Sequence, residues 1–356
     1  MIPHNRVINT RSDCEAVDRV IASGHIAQGP EVEAFEHDMC TYTGRRHAIA
    51  VSSGTEALRL AMLAYSGRRV TVPAYSCVAL ANAAMAARSG VMPVAADVMS
   101  GSWTIDPDEI GHDLELDVVV AVNTFGVKAD VLGLAEVGAR VIEDCTHGFG
   151  DHWSDIDVMS CHATKLLGGA GGGVILTGDE RVARYVRDLR DYDDKAANCN
   201  RLNSKMSDVQ AALLRSKLRR LPSMIEERAE IAGWYMDALA HPPAGVELPN
   251  IGDRTWYRFA IEVPDADHML RRLEQLRICA ARPVDNWLVK SPPIVPIESA
   301  PTAYRAYDHI VSLPCYPGLT KAEVLHVAQC VRDIVSEQYC FTCDKDGNLD
   351  KSQATA

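Results

Sequence analysis

Residues 117–123 read DVVVAVN, five apolar residues in a row of seven with no polar alternation. A strand of that kind is covered on both faces, as strands of a parallel sheet are. Similar short β-branched runs lie on either side: HAIAVSS (47–53), RVTVPA (69–74), VMPVAAD (91–97), ARVIED (139–144), DIDVMS (155–160) and GGVILTG (172–178). Helical stretches separate some of them, notably TEALRLAMLAYSG (55–67) and SCVALANAAMAARSG (76–90). Strand–helix–strand alternation predicts an α/β fold: one large, mostly parallel seven-stranded sheet flanked by helices.

Further outward the pattern changes. Residues 11–23 and 30–43 read as amphipathic helices joined by SGHIAQGP. Beyond 178, residues 180–191 and 207–242 are charged and strongly helical, with Ser207 placed to cap SDVQAALLRSKLRRL. A smaller α/β region follows: TWYRFAIEV (255–263) as a strand, DADHMLRRLEQLRI (265–278) as a helix, HIVSLPCYPGL (309–319) as a strand and KAEVLHVAQCVRDIVSEQ (321–338) as a helix. The expected division is a large domain over 1–220, a small C-terminal domain over 221–340 and a polar tail over 341–356.

With 356 residues there is chain enough for two domains. A net charge of −12 argues against nucleic acid or an anionic membrane as the main partner, because both need a basic field. No stretch approaches the roughly 20 apolar residues that span a bilayer, and the N-terminus lacks the apolar core of a signal peptide. A cytoplasmic location is expected. The eleven cysteines are scattered, poor material for a disulfide framework. No metal site is expected: Cys340 and Cys343 form a lone CxxC, and DKDGNLD (344–350) has its glycine at the wrong position for a calcium loop.

In open parallel sheets, ligands bind beyond the carboxyl ends of the strands. Four loops there carry chemistry. In SSGTEAL (52–58) a strand meets a helix at Gly54 and Thr55, an anion cradle or a plain helix cap. In VIEDCTHGFGD (141–151) a strand delivers Glu143 and Asp144 to its end, with His147 three residues on. A carboxylate there can hold a protonated ring nitrogen, or cap the next turn. In SCHATKLLGGAGGG (160–173), Lys165 stands between Ser160 and five glycines in six residues. It is either a solvated lysine or an amine held in a cleft to attack a carbonyl, which it does only when unprotonated. In VTVPAYSCVALANA (70–83), Tyr75, Ser76 and Cys77 could cover a flat ligand or pack half-buried. Taken together these parts suit pyridoxal phosphate, an electron sink carried on a lysine with an acid at its ring nitrogen.

Many ordered blocks now become significant together. They include GPEVEAFEHDMCTYTGRRHAIAVSSGTEAL, VPAYSCVALANAA with PVAADV, VVVAVNTFG, VIEDCTHGFG, SCHATKLL, NSKMSDVQAALLRSKL and LPCYPGLT. Over residues 20–335 the chain resembles the PLP-dependent nucleotide-sugar aminotransferases, the DegT/StrS type of fold-type I enzymes. That resemblance implies an imine between Lys165 and pyridoxal 5'-phosphate, with Lys165 later moving the proton. It pairs Asp144 with the pyridine nitrogen and sets His147 near the phenolic oxygen. It assigns the phosphate to Gly54, Thr55 and Ser160, with Asn203 reaching it from a neighbouring subunit, so a homodimer with composite sites is implied. Ser76 and Cys77 fall where the cofactor ring is covered.

The implied reaction takes an amino group from an amino acid, usually L-glutamate, to a keto group on a nucleotide-linked deoxysugar, with ping-pong kinetics. A cyclitol or other small ketone is the alternative acceptor, and a non-catalytic sensor on the same fold the alternative role. Three departures stand out. Cys77 replaces a frequent Phe or Trp, Gly171 a frequent Glu, and Lys205 a frequent Arg. Dehydratase relatives carry histidine in place of the lysine, and Lys165 argues against that branch.

Overall fold

The apolar runs do become strands, several of them ended by a glycine, a cap residue or a proline, as at Gly178, Ser53 and Pro314. A computed structural model describes residues 1–340 except 66–68, 88–92, 111–116, 194, 199 and 285–298. The expected polar tail, Cys343 and the DKDGNLD segment lie outside the described residues, as does the side chain of Cys340.

Two helices open the chain, α1 (Arg11–Ser23) and α2 (Pro30–Thr43). Then come β1 (His47–Val51), α3 (Gly54–Ala64), β2 (Arg69–Pro73), α4 (Ala79–Ala87), β3 (Val94–Ala96), β4 (Asp117–Val122), α5 (Val131–Glu136), β5 (Arg140–Asp144), β6 (Ile156–Ser160) and β7 (Gly173–Thr177). These seven strands form one sheet in the order β1-β7-β6-β5-β4-β2-β3. Its pairs are parallel except at β7, which runs antiparallel to both β1 and β6. Apolar clusters on both faces explain the unbroken apolar strands: Val118, Val120 and Ile142 face α3 and α4, whereas Val119, Ala121 and Val141 face Leu134 of α5.

The helical stretch expected over 207–242 is two helices. After α6 (Glu180–Leu189), α7 (Asp208–Leu218) stops at Arg219 and α8 (Leu221–Ala238) restarts with Pro222 in its first turn. Proline is tolerated there because the first-turn amides have no intrahelical partner anyway. Ser207 caps α7 as its sequence suggests, accepting from the Gln210 amide. The two later strand segments are shorter than expected. They form β8 (Phe259–Glu262) and β9 (Ile310–Leu313), an antiparallel pair flanked by α9 (Ala266–Gln275), α10 (Pro301–His309) and α11 (Lys321–Cys340). This pair has its own core with Tyr235 of α8, Val327 and Val331 of α11, and Ile2 from the start of the chain. Among the described residues no helix is long and apolar enough to cross a membrane.

Candidate active site

β5 sits between β4 and β6, so its last residue, Asp144, emerges at the carboxyl edge beside Val122 and Val158. The carboxylate is only 7% exposed. Its Oδ1 accepts from the Thr146 amide at 3.0 Å. Burial pushes its pKa up, opposed by the Thr146 bonds and the charge of Lys165. Among the described residues no cation forms an ion pair with it, and a cation placed against it would be strongly favoured.

Lys165 lies on the turn after β6, closed by its amide donating to His162 O at 2.9 Å and by Gly169 N donating to Cys161 O at 3.0 Å. The glycines that follow serve close backbone packing. A side chain at Gly169 would strike Leu214 of α7 at 2.3 Å, and one at Gly173 would strike Ser53 O at 2.3 Å. They draw the Lys165 turn and the start of α3 together. Gly171, the departure from a frequent glutamate, has φ +93°, which favours glycine.

The Lys165 amine reaches His147 Nε2 at 3.2 Å. His147 is stacked on Tyr257 with ring centres 4.2 Å apart. Burial, then the charges of Lys165 and Arg258, hold the imidazole well below the ordinary histidine pKa. That favours the neutral ring beside the Lys165 amine, and among the described residues its Nδ1 is buried without a hydrogen-bond partner.

α3 presents its N-terminus to the same cleft. Ser53 caps it by accepting from Glu56 N at 3.1 Å, leaving the Gly54 and Thr55 amides at the positive end of the helix dipole. Gly54 is pressed against Ser160, where an added Cβ would lie 2.4 Å from the serine Cβ. Ser160 is tied in turn to Thr146, whose hydroxyl accepts from the Ser160 amide at 2.9 Å.

Two adjoining cavities, of about 220 and about 270 Å³, share Cys77, Asp144, Thr146 and Lys165 as walls. Gly54, Thr55 and Ser160 line the second; Ser76 and His147 line the first. The exposed Cys77 borders both, while Ser76 Oγ is spent on Pro73 O at 2.6 Å. Tyr75 is buried, with its ring edge-on to Phe125 and Trp103. Asn203 lines neither cavity and is exposed. Lys205 pairs with Asp191 at 3.2 Å and Asp193 at 2.5 Å, away from the cleft. Arg258, Tyr257, Phe125 and Thr146 wall the cleft without having been singled out from sequence.

Beneath the cleft, Glu143, Cys145 and Asp157 bring ligand atoms within 4.8 Å of one another. Both Asp157 oxygens already accept from Arg45, from Nε and Nη2 at 2.8 Å each, so a half-buried guanidinium fills the cation's place.

Comparison with known proteins agrees with this architecture. The DegT/DnrJ/EryC1/StrS aminotransferase family model matches residues 8–332. A dTDP-3-amino-3,4,6-trideoxy-alpha-D-glucose transaminase of Micromonospora megalomicea subsp. nigra is 31% identical over 352 residues, covering 90% of this chain and 94% of that protein. DesV of S. venezuelae, solved in complex with a ketimine intermediate, is 27% identical with a TM-score of 0.84 over 94% of this chain and 98% of that one. NtdA of Bacillus subtilis, solved with bound cofactor PMP, is 26% identical with a TM-score of 0.80 over 92% and 83% of the two chains. A match of that length on both sequence and fold makes this chain an aminotransferase, a member of the DegT/DnrJ/EryC1/StrS family.

Proposed function

We propose that the chain uses pyridoxal 5'-phosphate to move an amino group from an amino acid, L-glutamate first, to a keto group on a nucleotide-linked deoxysugar. The observation that carries this reading is the opening of Asp144, Lys165 and the N-terminus of α3 onto one cleft. The residues fit the cofactor. Gly54 and Ser160 approach too closely for any larger side chain at 54, as a phosphate cradle requires. Among the described residues Asp144 is a buried acid with no ion-pair partner, and His147 Nδ1 is a buried nitrogen with no hydrogen-bond partner. The transaminase relative supports the sugar, and the two solved structures, one holding PMP and the other a ketimine, support the cofactor.

When bound, the cofactor supplies an electron sink for charge developing at the donor's α-carbon. Gly54, Thr55 and Ser160 hold its phosphate through amides and hydroxyls. Asp144 keeps a ring nitrogen positive by its own negative charge. Lys165 Nζ takes the proton from the donor's α-carbon and returns it on the far side of the exchange. His147, stacked against Tyr257, fixes the resting position of that amine. Donor and acceptor use the same cleft in turn, which predicts ping-pong kinetics. Asn203, exposed and outside this chain's own cleft, is assigned to the phosphate of a neighbouring subunit in a homodimer, which works in the cytoplasm.

The test is a product analysis. Purified protein loaded with pyridoxal phosphate is given L-glutamate and a panel of ketosugar nucleotides and cyclitol ketones, and the products are weighed by mass spectrometry. An aminated sugar nucleotide supports the reading. Amination of cyclitols alone moves the acceptor to that class, and no amination of any ketone overturns it.

A further inference from the structure

The cleft has a second basic side chain that meets no carboxylate among the described residues. Arg258 directly precedes β8 and lines the cavity that holds Asp144, His147 and Lys165. Its guanidinium lies over the Tyr257 ring, 4.8 Å from the ring centre. One other contact of that ring leads to the reacting lysine: Tyr257 stacks on His147, and His147 meets Lys165 Nζ.

The partners of Arg258 are a histidine ring and a phenol. Nη1 donates to the His4 ring, 3.1 Å from Nε2, and Nη2 lies 3.4 Å from the Tyr257 hydroxyl. Burial and the Arg258 charge push the His4 pKa down to about 3, so that ring brings no charge of its own. Arg258 Nε is buried with no partner. Among the described residues no carboxylate forms an ion pair with Arg258. Elsewhere in the molecule half-buried arginines are matched by carboxylates, Arg45 by Asp157 and Arg190 by Glu36, whereas the buried Arg228 donates to the carbonyl oxygens of Tyr257 and Cys315. Among the described walls of the two cavities it is the one arginine.

A planar guanidinium held flat on an aromatic ring, with spare N–H groups at a cavity wall, matches the fork of a carboxylate. We infer that Arg258 binds a carboxylate of the amino-acid donor and so selects amino acids as the amine source. This rests on the function proposed above and adds the residue that reads the donor. An acceptor diphosphate is the other anion such a group could hold. The donor is favoured because only a phenol and an imidazole separate Arg258 from the amine that must reach the donor's α-carbon. A diphosphate stands a whole sugar ring from the carbon that is aminated.

The two half-reactions separate these sources. Holoenzyme carrying Arg258→Gln or Arg258→Lys is compared with the unaltered holoenzyme. The donor half-reaction is followed by absorbance against L-glutamate concentration, and the acceptor half-reaction against the ketosugar nucleotide. Binding of glutarate, a dicarboxylate with no amine to transfer, is measured by calorimetry. Loss of a charge-assisted pair predicts that R258Q needs about tenfold or more glutamate for half-maximal rate and binds glutarate correspondingly more weakly. R258K recovers part of both, and acceptor saturation stays unchanged. Glutamate and glutarate bound as tightly by both variants as by the unaltered protein would overturn the inference, as would a loss confined to the acceptor half-reaction. An unaltered holoenzyme that takes an amino group from no amino acid would instead sink the proposed function, and this inference with it.

Discussion

At the scale of single residues the account turns on Lys165, Asp144 and Gly54. Replacing Lys165 with alanine removes the group proposed to move the proton, and transamination should fall about a thousandfold or more. Asp144→Asn keeps the shape but loses the charge, so catalysis should fall on the order of a hundredfold. Gly54→Ala brings a methyl against Ser160, which should weaken cofactor retention, read as release of the cofactor on dilution.

Two histidines make stability depend on pH. His4 and His147 are both held below the ordinary histidine pKa, chiefly by burial. The unfolded chain takes up their protons below about pH 6.5 while the folded chain refuses them. Their stabilising contribution is therefore complete above that pH and lost as pH falls. The cofactor-free protein should lose about 1.4 kcal/mol per pH unit for each histidine below that point. Denaturation midpoints in urea at pH 7 and pH 5 check this, and His4→Gln should reduce the difference. The placement of Asp144 and Lys165 at strand ends was legible because a buried strand leads straight to the acid and a glycine run follows the lysine. Arg258 was not, because an arginine in TWYRFAIEV reads as the outward residue of an alternating strand. Only the docking of that strand against the loop after β5 turns it toward the lysine.

Among elements, the seven strands of the main sheet were readable from their apolar runs, since a strand buried on both faces leaves little else for the residues to be. The antiparallel β7 was not: strand direction depends on how the glycine-rich segment returns, which no side-chain pattern encodes. Helix ends were legible where the cap is local, as at Ser207. They were not where the cap comes from afar. The N-terminus of α2 is capped by Asp208, whose carboxylate accepts from the amides of Gly29, Glu31 and Val32 at 2.8, 3.2 and 3.0 Å. That carboxylate is 1% exposed. Asp208→Ala would leave three amides at a buried helix start without their acceptor. The expected loss is about 3 kcal/mol, seen as a lower urea midpoint with an unchanged slope.

For the molecule as a whole, the large sheet carries the cleft and the small sheet closes it. Tyr257 and Arg258 come from the approach to β8, and Tyr257 also donates its hydroxyl to Thr164 O at 3.0 Å, beside Lys165. The second layer thereby ties down the turn that carries Lys165. Asn203, exposed on this chain, should complete the site of a neighbouring copy. Mixing and reassembling Lys165→Ala with Asn203→Ala should then restore activity that neither variant shows, because one site of each mixed dimer is intact. Mixtures no more active than their parts would assign Asn203 to another role. The most direct measurement is chemical. Holoenzyme is reduced with borohydride, digested, and its peptides weighed. A pyridoxyl mass fixed to the peptide at Lys165, absent from Lys165→Ala, is the predicted result; a pyridoxyl group on a different lysine, or on none, would contradict the account.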